Sequence, residues 1–268
     1  MMKVVILTFE GFESAMVINY LLKNQKKFKI TYIIKSSTFV YQKNLFDLVQ
    51  MITNGVSIEF ILFKLFQSLI WRFSLFLKKD KSKIKPIQLL KRKYKFDLIK
   101  TKDINNPFLI QTIEKMRPDI LLSVFFNQKI GNSVLKLSRV ASINLHPALL
   151  PAYRGLFPYF WVLARDEKST GVTVHIMDER FDSGKILGQR KIRIKKDDTA
   201  FSLNFRCARE GSKLLVQILE DMKNTMSKGK LQNNRKMSYF SWPKNKDLRI
   251  LKERKRQLFS IREFWQDT

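Results

Sequence analysis

Apolar residues in the first part of the chain fall in short runs separated by turn-forming residues. Residues 3–8 and 28–35 predict buried strands, and residues 14–24 between them carry apolar side chains at helical spacing. A strand, a helix and a second strand in this order form a right-handed crossover unit. This pattern predicts the opening of a doubly wound α/β sheet.

The same alternation continues along the chain. Further strands are predicted at residues 97–100, 120–124, 140–145, 171–178 and 191–196, and further helices at residues 107–116, 133–137, from Pro158 onwards and at 200–221. The wholly apolar run at 120–124 is typical of a central parallel strand. We therefore expect a Rossmann-like, mostly parallel domain over residues 1–221.

The turn after the first strand, residues 9–14, lacks the glycine pattern that holds a dinucleotide, because Gly11 is its only glycine. We therefore expect neither NAD nor ATP as a ligand. Glu10 and Glu13 add negative charge to this turn, which would repel a phosphate group.

Residues 54–77 form a long apolar segment that we assign to a helical insertion, residues 54–95. Glu59, Lys64 and Arg72 would each cost roughly 2.5–3.5 kcal/mol at a bilayer centre, which disfavours a membrane-spanning helix. Two alternatives are an amphipathic helix packed on the domain or a partner subunit, and a helix lying on a membrane surface. In the second, contact would run through residues 54–85 and include Lys78, Lys79, Lys81 and Lys83.

Charge is strongly positive: 51 Lys and Arg against 23 Asp and Glu give a net charge of +28. A basic chain can bind nucleic acid, anionic lipid or phosphorylated substrates, but charge spread along a whole chain is more often a solvated surface. Cys207 is the single cysteine, so no disulfide forms within the chain. With no signal-peptide pattern at residues 1–8, we expect a cytoplasmic protein, or one peripheral to the inner membrane surface.

The sequence changes character after residue 221. Residues 224–236 are polar and predict a loop, residues 238–243 form an aromatic patch, and residues 244–268 are charged and predict a partly helical segment. We treat residues 222–268 as a basic C-terminal extension.

An amide and an imidazole stand at the end of the predicted strand 140–145. Asn144 and His146 are two positions apart and therefore point to the same face, and Pro147 ends the strand. A neutral imidazole can accept a proton from an amine, and a carboxamide N–H can stabilise an oxyanion. The pair suits acyl transfer; the alternative is a capping asparagine and a structural histidine.

A carboxylate follows the next predicted strand. Asp182 begins a turn in which Gly184 allows a positive φ. Asp182 could orient His146, or hold a water that relays a proton; the alternative is an ordinary turn. We expect His175, within the strand, to be a structural histidine rather than a second base.

Three ordered blocks carry a family resemblance: Asn144-x-His146-Pro147-x-Leu149-Leu150-Pro151-x-Tyr153-Arg154-Gly155, Gly171-Val172-Thr173-x-His175 and Asp182-x-Gly184-x-Ile186-Leu187. The chain resembles the folate-dependent formyltransferase family. Methionyl-tRNA formyltransferase, glycinamide ribonucleotide formyltransferase and the amino-sugar N-formyltransferases share its catalytic domain. The similarity extends more loosely over residues 1–220.

The resemblance implies a formyl donor and a set of site residues. The donor is 10-formyltetrahydrofolate, no metal is implied, and Asn144, His146 and Asp182 take the catalytic roles. Residues implied to bind the folate are Phe125, Phe126, Ile130, Leu149 and Asp178. Tyr153 and Arg154 are implied to bind substrate, with closure of their own loop as the alternative for Arg154.

The formyl acceptor implied by the resemblance is a primary amine. We favour an amino sugar, linked to a nucleotide or a lipid, because residues 222–268 are too few for the tRNA-binding barrel that extends methionyl-tRNA formyltransferases. Methionyl-tRNA is the alternative acceptor, and the basic surface favours it. Hydrolysis of formyltetrahydrofolate and a non-enzymatic RNA- or membrane-binding role rank lower, and a homodimer is left open.

Overall fold

The computed structural model describes residues 1–37, 45–77, 84–260 and 263. Its strands are β1 (Met2–Thr8), β2 (Phe28–Ser36), β3 (Asp97–Thr101), β4 (Ile120–Val124), β5 (Ala141–His146), β6 (Arg154–Gly155), β7 (Ser169–Ile176), β8 (Ile186–Arg193) and β9 (Tyr239–Phe240). Its helices are α1 (Phe12–Lys23), α2 (Leu45–Thr53), α3 (Ile58–Leu77), α4 (Ile87–Tyr94), α5 (Pro107–Met116), α6 (Asn132–Leu135), α7 (Pro158–Ala164), α8 (Ala200–Glu220), α9 (Met222–Lys228) and α10 (Asn245–Glu253).

A seven-stranded sheet with the order β3-β2-β1-β4-β5-β7-β8 runs through the described residues. The strands from β3 to β5 are parallel, whereas β7 and β8 are antiparallel to their neighbours. Strand order reverses between β1 and β4, and ligands of such sheets bind at the carboxyl ends of the strands beside this reversal. The predicted doubly wound, mostly parallel α/β fold is confirmed.

Both faces of the central strands β1 and β4 are buried, which explains their apolar runs. Val4 and Ile6 of β1 pack in the larger core with α1 and α8. Val5 and Leu7 point to the other face and pack against α5. Alternate residues of β1 thus belong to the hydrophobic cores on the two faces of the sheet.

Two predicted elements are wrong in position or type. The strand predicted at 191–196 is β8, Ile186–Arg193, because residues 188–190 of this half-exposed edge strand interrupt the apolar pattern near its start. The loop predicted at 224–236 begins within α9, because buried Met222 and partly buried Met226 anchor a helical turn on the core.

The predicted insertion, residues 54–95, contains helices α3 and α4, and α2 precedes it in the same crossover between β2 and β3. Phe60 of α3 is fully buried, and its ring packs edge-on against Phe157, Phe160 and Trp242. One face of α3 is therefore packed on the domain, as the first alternative predicts. No helix in the described ranges combines the length and apolarity needed to cross a bilayer. The predicted lipid contacts Lys78, Lys79, Lys81 and Lys83 lie outside the described residues.

The C-terminal extension folds back onto the region that follows β5. β9 pairs in parallel with β6, and Phe240 stacks between the rings of Tyr153 and Trp161, with centroids 5.3 and 4.8 Å away. α10 contacts α7 and confirms that the segment after residue 244 is partly helical. The extension thus fixes the loop that follows His146.

Candidate active site

A cleft of about 510 Å³ opens where β1, β4 and β5 end. Asn144 and His146 of β5 both line it, and so do His175 of β7 and Asp182 of the β7–β8 turn. The strand that carries Asn144 and His146 lies next to the strand that precedes Asp182, because β5 and β7 pair directly. The fold therefore brings the predicted amide, imidazole and carboxylate together.

His146 is held in one orientation by the backbone. Its Nε2–H donates to the carbonyl oxygen of Tyr153 at 2.8 Å, which leaves Nδ1 3.5 Å from Oδ1 of Asp182. A carbonyl only accepts, so the neutral ring carries its proton on Nε2 and its lone pair on Nδ1. Burial lowers the pKa of His146 against the opposite effect of Asp182. At neutral pH the ring is therefore a base directed towards the carboxylate.

Asp182 is the common partner of both histidines. Oδ1 lies 3.5 Å from Nδ1 of His146 and 3.4 Å from Nε2 of His175, and Oδ2 accepts from the N–H of Gly155 at 2.8 Å. Burial opposes ionisation, but the two imidazoles and the Gly155 hydrogen bond hold the pKa of Asp182 well below its usual range. The carboxylate is therefore ionised and can stabilise a protonated His146.

His175 contacts both Asn144 and Asp182, which its sequence context did not reveal. Its Nδ1–H donates to the carbonyl of Ile176 at 2.8 Å, so the Nε2 lone pair faces Nδ2 of Asn144 at 3.2 Å. The side chain is 2% exposed. His175 thus orients the Asn144 amide, whose second N–H is free of this contact.

The residues predicted to contact a folate divide into two groups. Phe125, Phe126 and Ile130 follow β4 and line the cleft, as does Asp178, whose carboxylate accepts from Ser183. Leu149 does not line the cleft. Its side chain lies over Gly171, where any side chain would collide with it.

Tyr153 and Arg154 also lie away from the cleft wall. The Tyr153 hydroxyl donates to Glu167 at 2.5 Å, and its contribution to the site is the backbone carbonyl bound by His146. Arg154 is 6% exposed and donates to Gln232 and Asn234. Arg154 thus closes its loop onto the C-terminal extension, and the substrate contacts of Tyr153 and Arg154 stay predictions.

Polar side chains also line the cleft, and some of them come from the insertion. Nζ of Lys64 on α3 donates to Oε1 of Gln67 at 2.6 Å and lies 3.5 Å from the Tyr159 hydroxyl. Burial lowers the pKa of Lys64, against the opposing effect of Glu13. Glu13 in turn accepts from Asn204 at 2.8 Å. The sequence did not predict that α3 reaches the cleft.

Glu10, in the turn after β1, is neutralised within the protein. Its carboxylate pairs with Lys35 at 2.5 Å and accepts from the N–H of Ile87 at 3.0 Å. This residue therefore anchors α4 beside the cleft, and Glu13 is the glutamate of the turn whose charge faces Lys64.

An amide, a buried imidazole and a carboxylate beside the reversal point of a Rossmann-like sheet define an α/β protein with a site of the acyl-transfer type. Residues 74–219 match the family described as Formyl transferase. The match covers more than half of the chain, which therefore belongs to the formyl transferase family, and the family predicted from the three sequence blocks is confirmed.

Two curated relatives share parts of the chain. The Methionyl-tRNA formyltransferase of Halothermothrix orenii is 34% identical over 154 residues, which are 58% of this chain and 49% of that protein. The Bifunctional polymyxin resistance protein ArnA of Wigglesworthia glossinidia brevipalpis is 42% identical over 111 residues, 41% of this chain and 17% of that protein. The chain thus spans at most about half the length of these relatives.

A solved structure with the same fold is the N-formyltransferase from Helicobacter canadensis in complex with folinic acid and dTDP-3-aminofucose. It is 20% identical, with a TM-score of 0.59, over 92% of this chain and 72% of that chain. This likeness supports the same fold for most of the chain.

Proposed function

We propose that this protein is an N-formyltransferase that moves the formyl group of 10-formyltetrahydrofolate to the primary amine of an amino sugar. The observation that carries the proposal is the arrangement of Asn144, His146 and Asp182 around one cleft in a member of the formyl transferase family. Formyl transfer joins the acceptor nitrogen to the formyl carbon and breaks the bond from that carbon to a folate nitrogen. One proton moves from the first nitrogen to the second.

Each of the three groups has a chemical task in this reaction. The lone pair on Nδ1 of neutral His146 accepts the amine proton, and ionised Asp182 stabilises the resulting imidazolium. The Asn144 N–H that is free of His175 donates to the oxygen on which negative charge develops. His146 then returns the proton to the leaving nitrogen, so that the protein ends the cycle unchanged.

The apolar side of the cleft supports a folate donor. Phe125, Phe126 and Ile130 present aromatic and aliphatic surface suited to the flat ring of a pterin. The Helicobacter canadensis N-formyltransferase, which shares this fold, was solved with folinic acid. We assign this side of the cleft to the formyl donor.

The polar residues that line the cleft support a sugar acceptor. Lys64 and Asn204 supply donors, Glu13 supplies an acceptor, and the Trp242 ring also lines the cleft. A mixture of donors and acceptors beside an aromatic ring is suited to a hydroxylated ring. The same Helicobacter canadensis protein was solved with dTDP-3-aminofucose, an amino sugar linked to a nucleotide.

Methionyl-tRNA is the second candidate acceptor. It is favoured by the net charge of +28 and by the relative from Halothermothrix orenii named a Methionyl-tRNA formyltransferase. A polyanion of this size would bind with a strong salt dependence, which a small acceptor would not show.

The proposal is tested by measuring tetrahydrofolate release from 10-formyltetrahydrofolate with different acceptors. The panel contains nucleotide-linked amino sugars, methionyl-tRNA and a reaction with no acceptor. We expect release that depends on an amino sugar. Release only with methionyl-tRNA would identify methionyl-tRNA as the acceptor. Release with no acceptor would indicate a hydrolase. No release with any member of the panel would contradict formyl transfer.

A further inference from the structure

Helix α3 has three faces with different surroundings. Phe60, Phe63, Gln67 and Trp71 are at most 6% exposed and pack in the protein interior. Ile61, Lys64, Leu65 and Ser68 line the cleft. The third face is turned to solvent, although its residues are as apolar as those of the first.

We call this third face the outer stripe, and it consists of Ile58 (49% exposed), Leu62 (57%), Phe66 (36%), Leu69 (63%) and Phe73 (61%). Successive members are three or four positions apart, so they form one continuous line along the helix. At ~1.5 Å per residue the line is roughly 22 Å long. Isolated exposed apolar residues are ordinary, but a continuous apolar strip of this length marks an interaction surface.

Basic side chains border the outer stripe. Lys252, Lys255 and Arg256 line a groove together with Ile58, Leu62 and Phe66, and Arg72 is exposed beside Phe73. The one acidic residue of α3, Glu59, is neutralised by Lys252 at 2.7 Å. The border of the stripe therefore carries a positive charge.

We propose that the outer stripe docks on an anionic membrane surface. An interfacial helix places its apolar face among acyl chains and its basic residues against anionic headgroups. A second copy of this chain would cover the apolar residues, but it would bring a net charge of +28 against one of the same sign. An RNA would match the charge and leave the apolar residues in water. An anionic lipid surface satisfies both features.

Docking in this way would bring the cleft close to the lipid. Leu62 of the outer stripe is flanked along the helix by Ile61 and Leu65 of the cleft wall, and a helix is only about 10–12 Å across. If the proposed transfer to an amino sugar holds, this position favours an acceptor that is linked to a lipid. The docking itself depends only on the outer stripe and its basic border.

The experiment is co-sedimentation of the full chain with phosphatidylcholine vesicles, with and without phosphatidylglycerol. We expect at least tenfold stronger binding to the anionic vesicles. The triple variant Leu62→Ser, Leu69→Ser, Phe73→Ser removes apolar stripe residues that do not line the cleft, and we expect it to lose at least tenfold in binding. The matched control is Phe108→Ser, Val140→Ser, Leu231→Ser, which removes exposed apolar residues elsewhere and should bind like wild type.

Three outcomes would overturn the docking proposal. The first is no binding of the wild type to anionic vesicles, and the second is equal binding by the stripe variant and its control. The third is a wild-type dimer in sedimentation equilibrium that the stripe substitutions convert to a monomer, which would assign the stripe to a second copy. Tetrahydrofolate release with a water-soluble amino sugar should be the same for all three proteins. This readout separates failure of docking from failure of the proposed function.

Discussion

At the scale of single residues, the tautomer and protonation state of His146 determine which proton transfer the site can perform. Its Nε2 proton is committed to the Tyr153 carbonyl, so proton transfer must use Nδ1, beside Asp182. Burial favours the neutral ring, and Asp182 partly offsets this preference. In the proposed mechanism, the pair thus supplies a base that is neutral before the reaction and stabilised once it is charged.

The pKa of His146 gives the first prediction. We expect it below 6.5, the value of an unperturbed imidazole, because burial disfavours the charged ring. In Asp182→Asn we expect it to fall further, because the carboxylate that raises it is gone. NMR titration is direct, since the chain has only 2 histidines and His175→Gln assigns them. A pKa above 6.5, or one that rises in Asp182→Asn, would contradict the electrostatic account.

His175 gives the second prediction, as a positioning residue. Replacing it with Ala removes the acceptor of the Asn144 amide, and we expect kcat to fall about tenfold, or ~1.4 kcal/mol of barrier, with KM for the acceptor little changed. His175→Gln, which keeps a polar group near Asn144, should recover part of the loss. A fall in thermal stability without a change in kcat would show that the histidine is only structural.

At the scale of elements, short pairings hold the site together. β6 joins the loop after His146 to β9 of the C-terminal extension, and the N–H of Gly155 in β6 binds Asp182. The extension is therefore part of the framework of the site. α3 contributes Lys64 to the lining of the cleft, so the insertion also helps to shape the cleft.

Gly155→Ala tests the β6–β9 pairing. Gly155 has φ +91°, and an added Cβ would collide with the carbonyl oxygen of Phe240. We expect a loss of about 1–3 kcal/mol in the free energy of unfolding, together with reduced turnover. The control for stability is Gly11→Ala, where φ is −156° and an added Cβ has an ordinary contact at 3.6 Å. Denaturant unfolding that ranks the two variants equally would contradict the role of this pairing.

Lys64→Met tests the assignment of the polar lining residues to the acceptor. We expect KM for the amino sugar to rise about tenfold, with KM for the folate little changed, because the proposal assigns Lys64 to the acceptor and the Phe125 and Phe126 rings to the folate. Lys191→Met on the exposed face of β8 is the matched control. A rise confined to the KM for the folate would contradict the assignment of Lys64 to the acceptor.

Several of these features were predictable from local sequence, and others were not. Asn144 and His146 are close along one strand, and Asp182 heads a turn with its own sequence signature. The role of His175 depends on the antiparallel register that places it opposite Asn144, and no local pattern encodes that register. The cleft contact of Lys64 depends on how the insertion packs against α7, which is a long-range property. Arg154 lies next to the predicted blocks, yet its partners are 78 and 80 positions away.

At the scale of the whole molecule, the charge of +28 has a consequence of its own. Like charges on a compact surface repel each other, and salt screens that repulsion. We therefore expect the thermal unfolding temperature to rise by several degrees as sodium chloride increases from about 0.05 to 0.5 M, where the Debye length shortens several-fold. A scanning calorimetry series checks this, and an unfolding temperature that falls over the same range would contradict it.

The most direct test of the whole account is the rate of acceptor-dependent tetrahydrofolate release by Asn144→Ala. Loss of one oxyanion donor removes ~2.7–4 kcal/mol of transition-state stabilisation, so we predict a fall of roughly a hundredfold or more. The matched control is Asn224→Ala, an exposed asparagine of α9, which should turn over like wild type. Near-normal turnover by Asn144→Ala would contradict the assignment of catalysis to this site.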